Sequence, residues 1–207
     1  MGRRSLVAER RQQVLEAASR CLARHGLAGA TLEKIAEESG LSRSHIRHYV
    51  GNRDDLLLAV VEWVQERDDR AFAAAVEQAP PERRLGVAMD YLFGPWFLGV
   101  GDESAVILEL IRAGQSDETL REAMMSGYRM MLGAIDSGLA AEFPDSAPAM
   151  RRGTAYGLLC LALGNAMMSD LDRALASGGL IRVAGEALVA QLGAVTASAN
   201  GAATPRV

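Results

Sequence analysis

Five residues within six consecutive positions, Arg43, Ser44, His45, Arg47 and His48, can all donate hydrogen bonds. On a helix, the arginines and serine project together, with the histidines beside them. Guanidinium and hydroxyl groups bond phosphate oxygens, and a guanidinium or imidazole can also read the edge of a base. The elements that would position these groups are legible around them. Thr31-Leu32-Glu33-Lys34-Ile35-Ala36 predicts a short helix with Leu32, Ile35 and Ala36 inward at three- and four-residue spacing. Gly40 falls where a turn needs positive φ, and Leu41 plugs that turn into a core. Ser42 is placed to cap a second helix, whose inward residue is Ile46 with Tyr49 behind it. Ala36 is small enough for the two helices to cross closely. Arg43 in the first turn opposes the helix dipole, which is tolerable if an anion such as DNA phosphate is the neighbour.

This stretch resembles the DNA-binding signature of the TetR family of bacterial transcription regulators. The resemblance rests on Thr31-Leu32-x-x-Ile35-Ala36-x-x-Ser39-Gly40-Leu41-Ser42. It continues through Ile46, His48-Tyr49 and Arg53-Asp54-x-Leu56. The order His48-Tyr49 after Ile46 is more similar to the branch containing the betaine-gene repressor BetI than to the drug-efflux branch. Ser44 stands where Gly is usual, Arg47 where Tyr or a small polar residue is usual, and Val50 where Phe is usual. Arg53 replaces a Lys expected to touch phosphate. The resemblance implies Arg43, Arg47 and His48 at bases or phosphates. It implies Thr31, Ser42, Tyr49 and Arg53 as backbone-positioning groups, with Ser44 and His45 on the same exposed face. Because of the Arg47 change, the operator sequence does not follow from the resemblance.

The net charge of −4 hides an asymmetry. Residues 1–53 carry ten Lys and Arg against five Glu, whereas the remainder carries twelve against twenty-one acidic groups. A basic end suited to nucleic acid is thus joined to an acidic body. High Ala and Leu content with few aromatics and little β-branched clustering predicts an all-α chain of about nine helices. Residues 1–53 are expected to form a three-helix helix-turn-helix domain. Residues 54–199 are expected to form a helical effector-binding and dimerisation domain, and residues 200–207 a disordered tail.

The first helix is expected from Ser5 to His25, with Val14, Ala18, Cys21, Leu22 and His25 on one face and Gly26 ending it. Arg3 and Arg4 before it suit either an arm reaching DNA or a solvated end. A fourth helix, capped by Asn52, should run to Gln78 with Leu57, Val60, Val61, Val64, Ala71, Phe72 and Ala75 inward. Pro80-Pro81 separates it from the next helix. After a broken Gly94–Gly101 segment, a sixth helix follows from Asp102 to Ala113. Ser116 or Asp117 caps a seventh, with a stripe of Leu120, Met124, Tyr128, Met131, Ile135 and Leu139. The last two helices, 148–175 and 179–197, are apolar around most of their circumference. A second apolar face needs a second partner, so a symmetric dimer through these helices is expected. Such a dimer sets two recognition helices about 34 Å apart, the spacing of half-sites in a palindromic DNA operator.

Chemistry of other kinds finds little support. His45 and His48 are three residues apart, but Arg43 and Arg47 flank them and would repel a metal ion. There is no phosphate-cradling loop ending in Gly-Lys-Ser/Thr and no Gly-x-Ser-x-Gly elbow. The acidic body contains no His to act as base for Ser or for Cys160. No catalytic residue, metal site or cofactor is therefore expected. Cys21 and Cys160 are expected as buried free thiols. Without a signal peptide, and with the apolar run 155–168 too short to span a bilayer, the protein is expected in the cytoplasm without membrane contact.

A small-molecule effector site is the remaining candidate. Met89, Phe93, Trp96, Phe97, Met124, Tyr128, Met131 and Tyr156 would supply its walls, and Glu109 and Asn165 its polar groups. Such residues also build plain cores. The combined expectation is a dimeric repressor released from its operator by an unidentified effector. Two alternatives stay open: a helix-turn-helix protein with no small-molecule effector, and a helical enzyme with a basic docking surface.

Overall fold

The computed structural model describes residues 3–95, 97, 103–171 and 178–202. Among these, all regular structure is helical. The helices are α1 (Arg3–Gly29), α2 (Leu32–Ser39), α3 (Arg43–Val50), α4 (Arg53–Val64), α5 (Arg70–Gln78) and α6 (Pro81–Leu92), followed by α7 (Glu103–Gly114), α8 (Glu118–Glu142), α9 (Pro148–Leu171) and α10 (Gly178–Ala202). A π-turn, Gln65–Asp69, joins α4 to α5. Counted through that turn, α4 and α5 are the single fourth helix the sequence predicts.

The chain forms two compact units. The first comprises residues 1–68 and 101–127. Its centre is α1, which packs against α2, α3, α4 and α7. Val14, Leu15, Ala17, Ala18, Cys21 and Leu22 are all buried, so α1 is covered on more than one side. His25 is exposed rather than part of that inner face. Gly26, at φ 65 and ψ −179, breaks the helix where a glycine stop was expected. The extra cover comes from Val106, Leu110, Ala113 and Leu120, residues too distant in sequence for periodicity to connect with α1.

The second unit comprises residues 69–100 and 128–207. Its core gathers Phe72, Val76, Leu85, Met89, Leu92, Phe93, Met131, Ile135, Leu139, Leu158, Leu159 and Leu192. Fully burying each of these large side chains contributes about 1.5–3 kcal/mol. The expected stripe on α8 therefore serves two cores, Leu120 and Met124 in the first unit and Tyr128 through Leu139 in the second. At Gly185 on α10, an added Cβ would sit 2.7 Å from the Phe93 ring, so any side chain there would have to displace that ring.

Several expectations are corrected. Ala71 and Ala75 are exposed, and the inward residues of α5 are Phe72 and Val76. The π-turn is the reason: one extra residue in a turn rotates everything after it relative to a straight 3.6-residue period. On α9 the buried positions are Ala155, Leu158, Leu159, Ala162 and Ala166, while Tyr156, Cys160 and Met168 are exposed. Ala155, Ala162 and Ala166 share the inner face with Leu158 and Leu159, so hydrophobic size alone did not mark it. Cys160 is consequently an exposed thiol, and only Cys21 is buried, its pKa raised first by that burial.

The stretch that meets the length and composition of a membrane span is not the 155–168 run. Gly178–Ser198 is long and apolar enough to cross a membrane by length and composition, and only 11% of that window is buried within the chain. Finally, α10 remains helical to Ala202, past the expected end near Ala197.

Candidate nucleic-acid interface

The turn between α2 and α3 is built as the sequence requires. Gly40 adopts φ 67 and ψ 19, and its N–H donates to the Ala36 and Glu37 carbonyls. Buried Ser39 donates through Oγ to the Ala36 carbonyl and accepts the Leu41 N–H. Gln13 of α1 donates to the Ser39 carbonyl at 2.6 Å, tying the turn to the central helix. Ser42 caps α3 by accepting the His45 N–H at 3.3 Å, and its Oγ lies 2.9 Å from that of Ser44. Thr31 caps α2 in the same way through the Lys34 N–H.

Ile46 and Val50 anchor α3 in the core, which leaves Arg43, Ser44, His45, Arg47 and His48 exposed together. Tyr49 is half-buried beneath them, 5.2 Å edge-on from the His48 ring and 6.4 Å from His45. The cation in the first turn of α3 finds an internal anion: Arg43 pairs with Glu33 of α2 at 2.8 Å. The Glu33 carboxyl is held below the usual range, first by its own backbone N–H and then by Arg43 among other groups. The pair is exposed and therefore screened, so a phosphate can compete with Glu33 for the guanidinium.

Arg53 opens α4 and is exposed, but its guanidinium donates to the Leu27 carbonyl. It is thus engaged within the protein, which its sequence position did not reveal. Asn52 before it forms a capping box with Asp55. Helix α1 starts at Arg3, but the side chains of Arg3 and Arg4 lie outside the described residues.

The residues expected around an effector are distributed over both units. Met89, Phe93 and Met131 are buried in the second core, with Phe97 and Tyr128 packed against it. Burial, with Asp69 as a lesser cause, pushes the Tyr128 phenol up to about 12. Asn165 on α9 is half-buried. Tyr156 is 62% exposed, on the opposite side of α9 from Leu158 and Ala162. Met124 belongs to the first core, and Glu109 accepts the Leu27 N–H there at 2.6 Å. Trp96 lies outside the described residues. Sequence reasoning missed Tyr91, which stacks on Phe72 at 4.5 Å and meets Phe97 edge-on at 5.9 Å. Its place two residues before Phe93, on a helix ending at the glycine-broken segment, was the available signal.

Truncating Arg47 should cost about 1–3 kcal/mol of affinity for the preferred duplex if it reads a base. Binding titrations of the R47A variant on single-base variants of that duplex check this. A uniform loss across all of them would assign Arg47 to phosphate instead.

Residues 14–60 match the family of bacterial regulatory proteins designated tetR. The chain is 42% identical over 66 residues to the HTH-type transcriptional repressor AcnR of Corynebacterium glutamicum, covering 32% of each chain. It is 29% identical over 113 residues to the HTH-type transcriptional regulator BetI of Brucella melitensis, covering 54% of this chain and 57% of that protein. The matched segments thus span from about a third to just over half of those relatives' length. In overall fold it is similar to a regulator from Saccharomonospora viridis solved in complex with choline. The TM-score is 0.72 at 20% identity, covering 88% of this chain and 96% of that one. The relatives are regulators of transcription rather than enzymes. Residues 14–60 thus form a helix-turn-helix of the tetR type braced on α1, within a chain whose fold is similar to that of a solved regulator.

Proposed function

We propose that the protein is a cytoplasmic repressor that binds a palindromic operator as a homodimer and is released by a small-molecule effector. The observation that carries this is the exposed row from Arg43 to His48 on a helix pinned from below by Ile46 and Val50. Residues 1–53 would contact DNA. Residues 54–199 would bind the effector and the second subunit, with 200–207 as a tail.

Dimerisation through α9 and α10 is supported by what each helix exposes. Leu180 and Val183 are 76% and 62% exposed, with Leu188 and Val195 further along α10 and Tyr156 and Met168 on α9. An apolar face of this extent suits a second copy better than solvent. The apolar window of α10 is then a subunit contact and not a membrane span.

The effector would bind among Tyr91, Phe97 and Tyr128, beside the second core. Choline in the S. viridis regulator shows one molecule that a protein of this fold holds, and aromatic rings, with Asp69 near enough to Tyr128 to raise its phenol pKa, suit a cation. The continuous run of α4, π-turn and α5 links the two parts of the chain, and a coupling of about 1–3 kcal/mol suffices for a useful switch. A second reading, a DNA-binding regulator without such an effector, is favoured by the tight packing of Phe93 on Gly185.

Selection of the full-length protein on random duplex, then titration of the winning sequence, tests the main reading. Inverted-repeat winners support it, and single half-sites or no enrichment overturn it. Adding choline or other cationic amines should raise thermal stability and weaken that duplex binding. No response across such a series leaves the effector-free reading standing.

A further inference from the structure

One residue of the first unit, Leu27, is bonded on both sides by oppositely charged side chains from distant helices. The helix break at Gly26 leaves a single turn, closed by the Ala30 N–H on the Gly26 carbonyl at 3.1 Å. Leu27 is the first residue of that turn, so its N–H has no partner within it. Glu109 of α7 supplies one, accepting at 2.6 Å across 82 residues of sequence. The carboxylate lies so close that a Cβ on Gly26 would be 3.3 Å from its Oε2. On the other side, the Leu27 carbonyl accepts from the Arg53 guanidinium at the start of α4. The anion thus holds the donor end of the turn and the cation holds an acceptor, the sense that the local backbone dipoles favour. Four residues after Leu27, Thr31 caps α2.

We infer that Glu109 is a positioning residue for DNA binding: by fixing Leu27 from α7, it orients the Arg53 guanidinium toward phosphate. A guanidinium has five donors in a rigid fork. One held by the Leu27 carbonyl pre-orients the others, and Arg53 need not leave the protein to meet a phosphate. Loosening Leu27 would leave the charge of Arg53 in place but lose its aim. Glu109 itself would be repelled by phosphate, so its contribution must pass through the backbone of Leu27. This rests on the DNA-binding reading above.

The test uses the full-length protein and a random-sequence duplex long enough for two half-sites, titrated at several salt concentrations. Arg53→Ala should weaken binding and lower the salt slope by about one unit. Glu109→Ala should weaken binding about five- to tenfold and lower the same slope, with Glu109→Gln restoring part of both. The double variant should bind no worse than Arg53→Ala alone, because the two residues act on one contact. A merely structural Glu109 would lower thermal stability and leave the slope unchanged. Wild-type slope in Glu109→Ala, or losses that simply add in the double variant, overturns the inference. Wild-type protein that ignores the duplex overturns the DNA-binding reading instead.

Discussion

Val183→Asp should convert the protein into a folded monomer and lower its affinity for a two-half-site duplex by about 10²–10⁴-fold. Val183 is 62% exposed in the single chain, so a polar replacement removes little internal packing. In the proposed dimer the same position is covered, and twofold symmetry brings two copies of the change to one interface. Burying an unpaired carboxylate there is strongly unfavourable. Loss of the dimer converts a two-point attachment into two separate weak ones, and the affinity lost is the avidity that linkage supplied. Sedimentation measures the mass, circular dichroism the fold, and duplex titration the affinity. Cys160, exposed on α9 in the single chain, should also react faster with a thiol reagent in the variant than in the wild-type dimer. A Val183→Asp protein that stays dimeric removes α10 from the interface.

Gly51→Ala should destabilise the first unit by about 2–4 kcal/mol, whereas Gly40→Ala should cost only about 1–2 kcal/mol. Both glycines have positive φ, yet their surroundings differ. Gly40 lies at φ 67 and ψ 19, with nothing within 4 Å of an added Cβ. Only the left-handed backbone penalty applies there. Gly51 lies at φ 86 and ψ −150, a region essentially restricted to glycine and costing about 1–3 kcal/mol for other residues. Its added Cβ would also fall 2.4 Å from the Asp55 carboxylate and 2.7 Å from the Asp55 Cβ. Asp55 accepts the Asn52 N–H in the capping box of α4. Displacing it removes a cap typically worth about 0.5–2 kcal/mol. Denaturant unfolding of both variants checks the ordering. Equal costs would mean that the Asp55 contact yields without consequence.

The DNA-binding half was legible because its rules are local. Gly40, Ser42, Asn52 and Ile46 each act on residues within four positions, so turn, caps and inward face follow from spacing alone. The exposure of Arg43 through His48 follows from the same spacing. The effector region was much less legible. Its expected residues were grouped by type, and the fold divided them: Glu109 and Met124 went to one core, Met89, Phe93 and Met131 to another, and Tyr156 to the surface.

From its own residues, then, the chain specifies a helical fold, a helix-turn-helix and an exposed basic surface on its second helix, because these need only interactions along one helix or across one turn. Long-range packing decided the rest. The π-turn at Gln65–Asp69 rephased α5, three alanines joined two leucines on the inner face of α9, and Glu109 was drawn 82 positions back to the Leu27 N–H. Periodicity reports which residues share a helix face, but not what that face meets, and contacts between distant segments exist only once the backbone has closed.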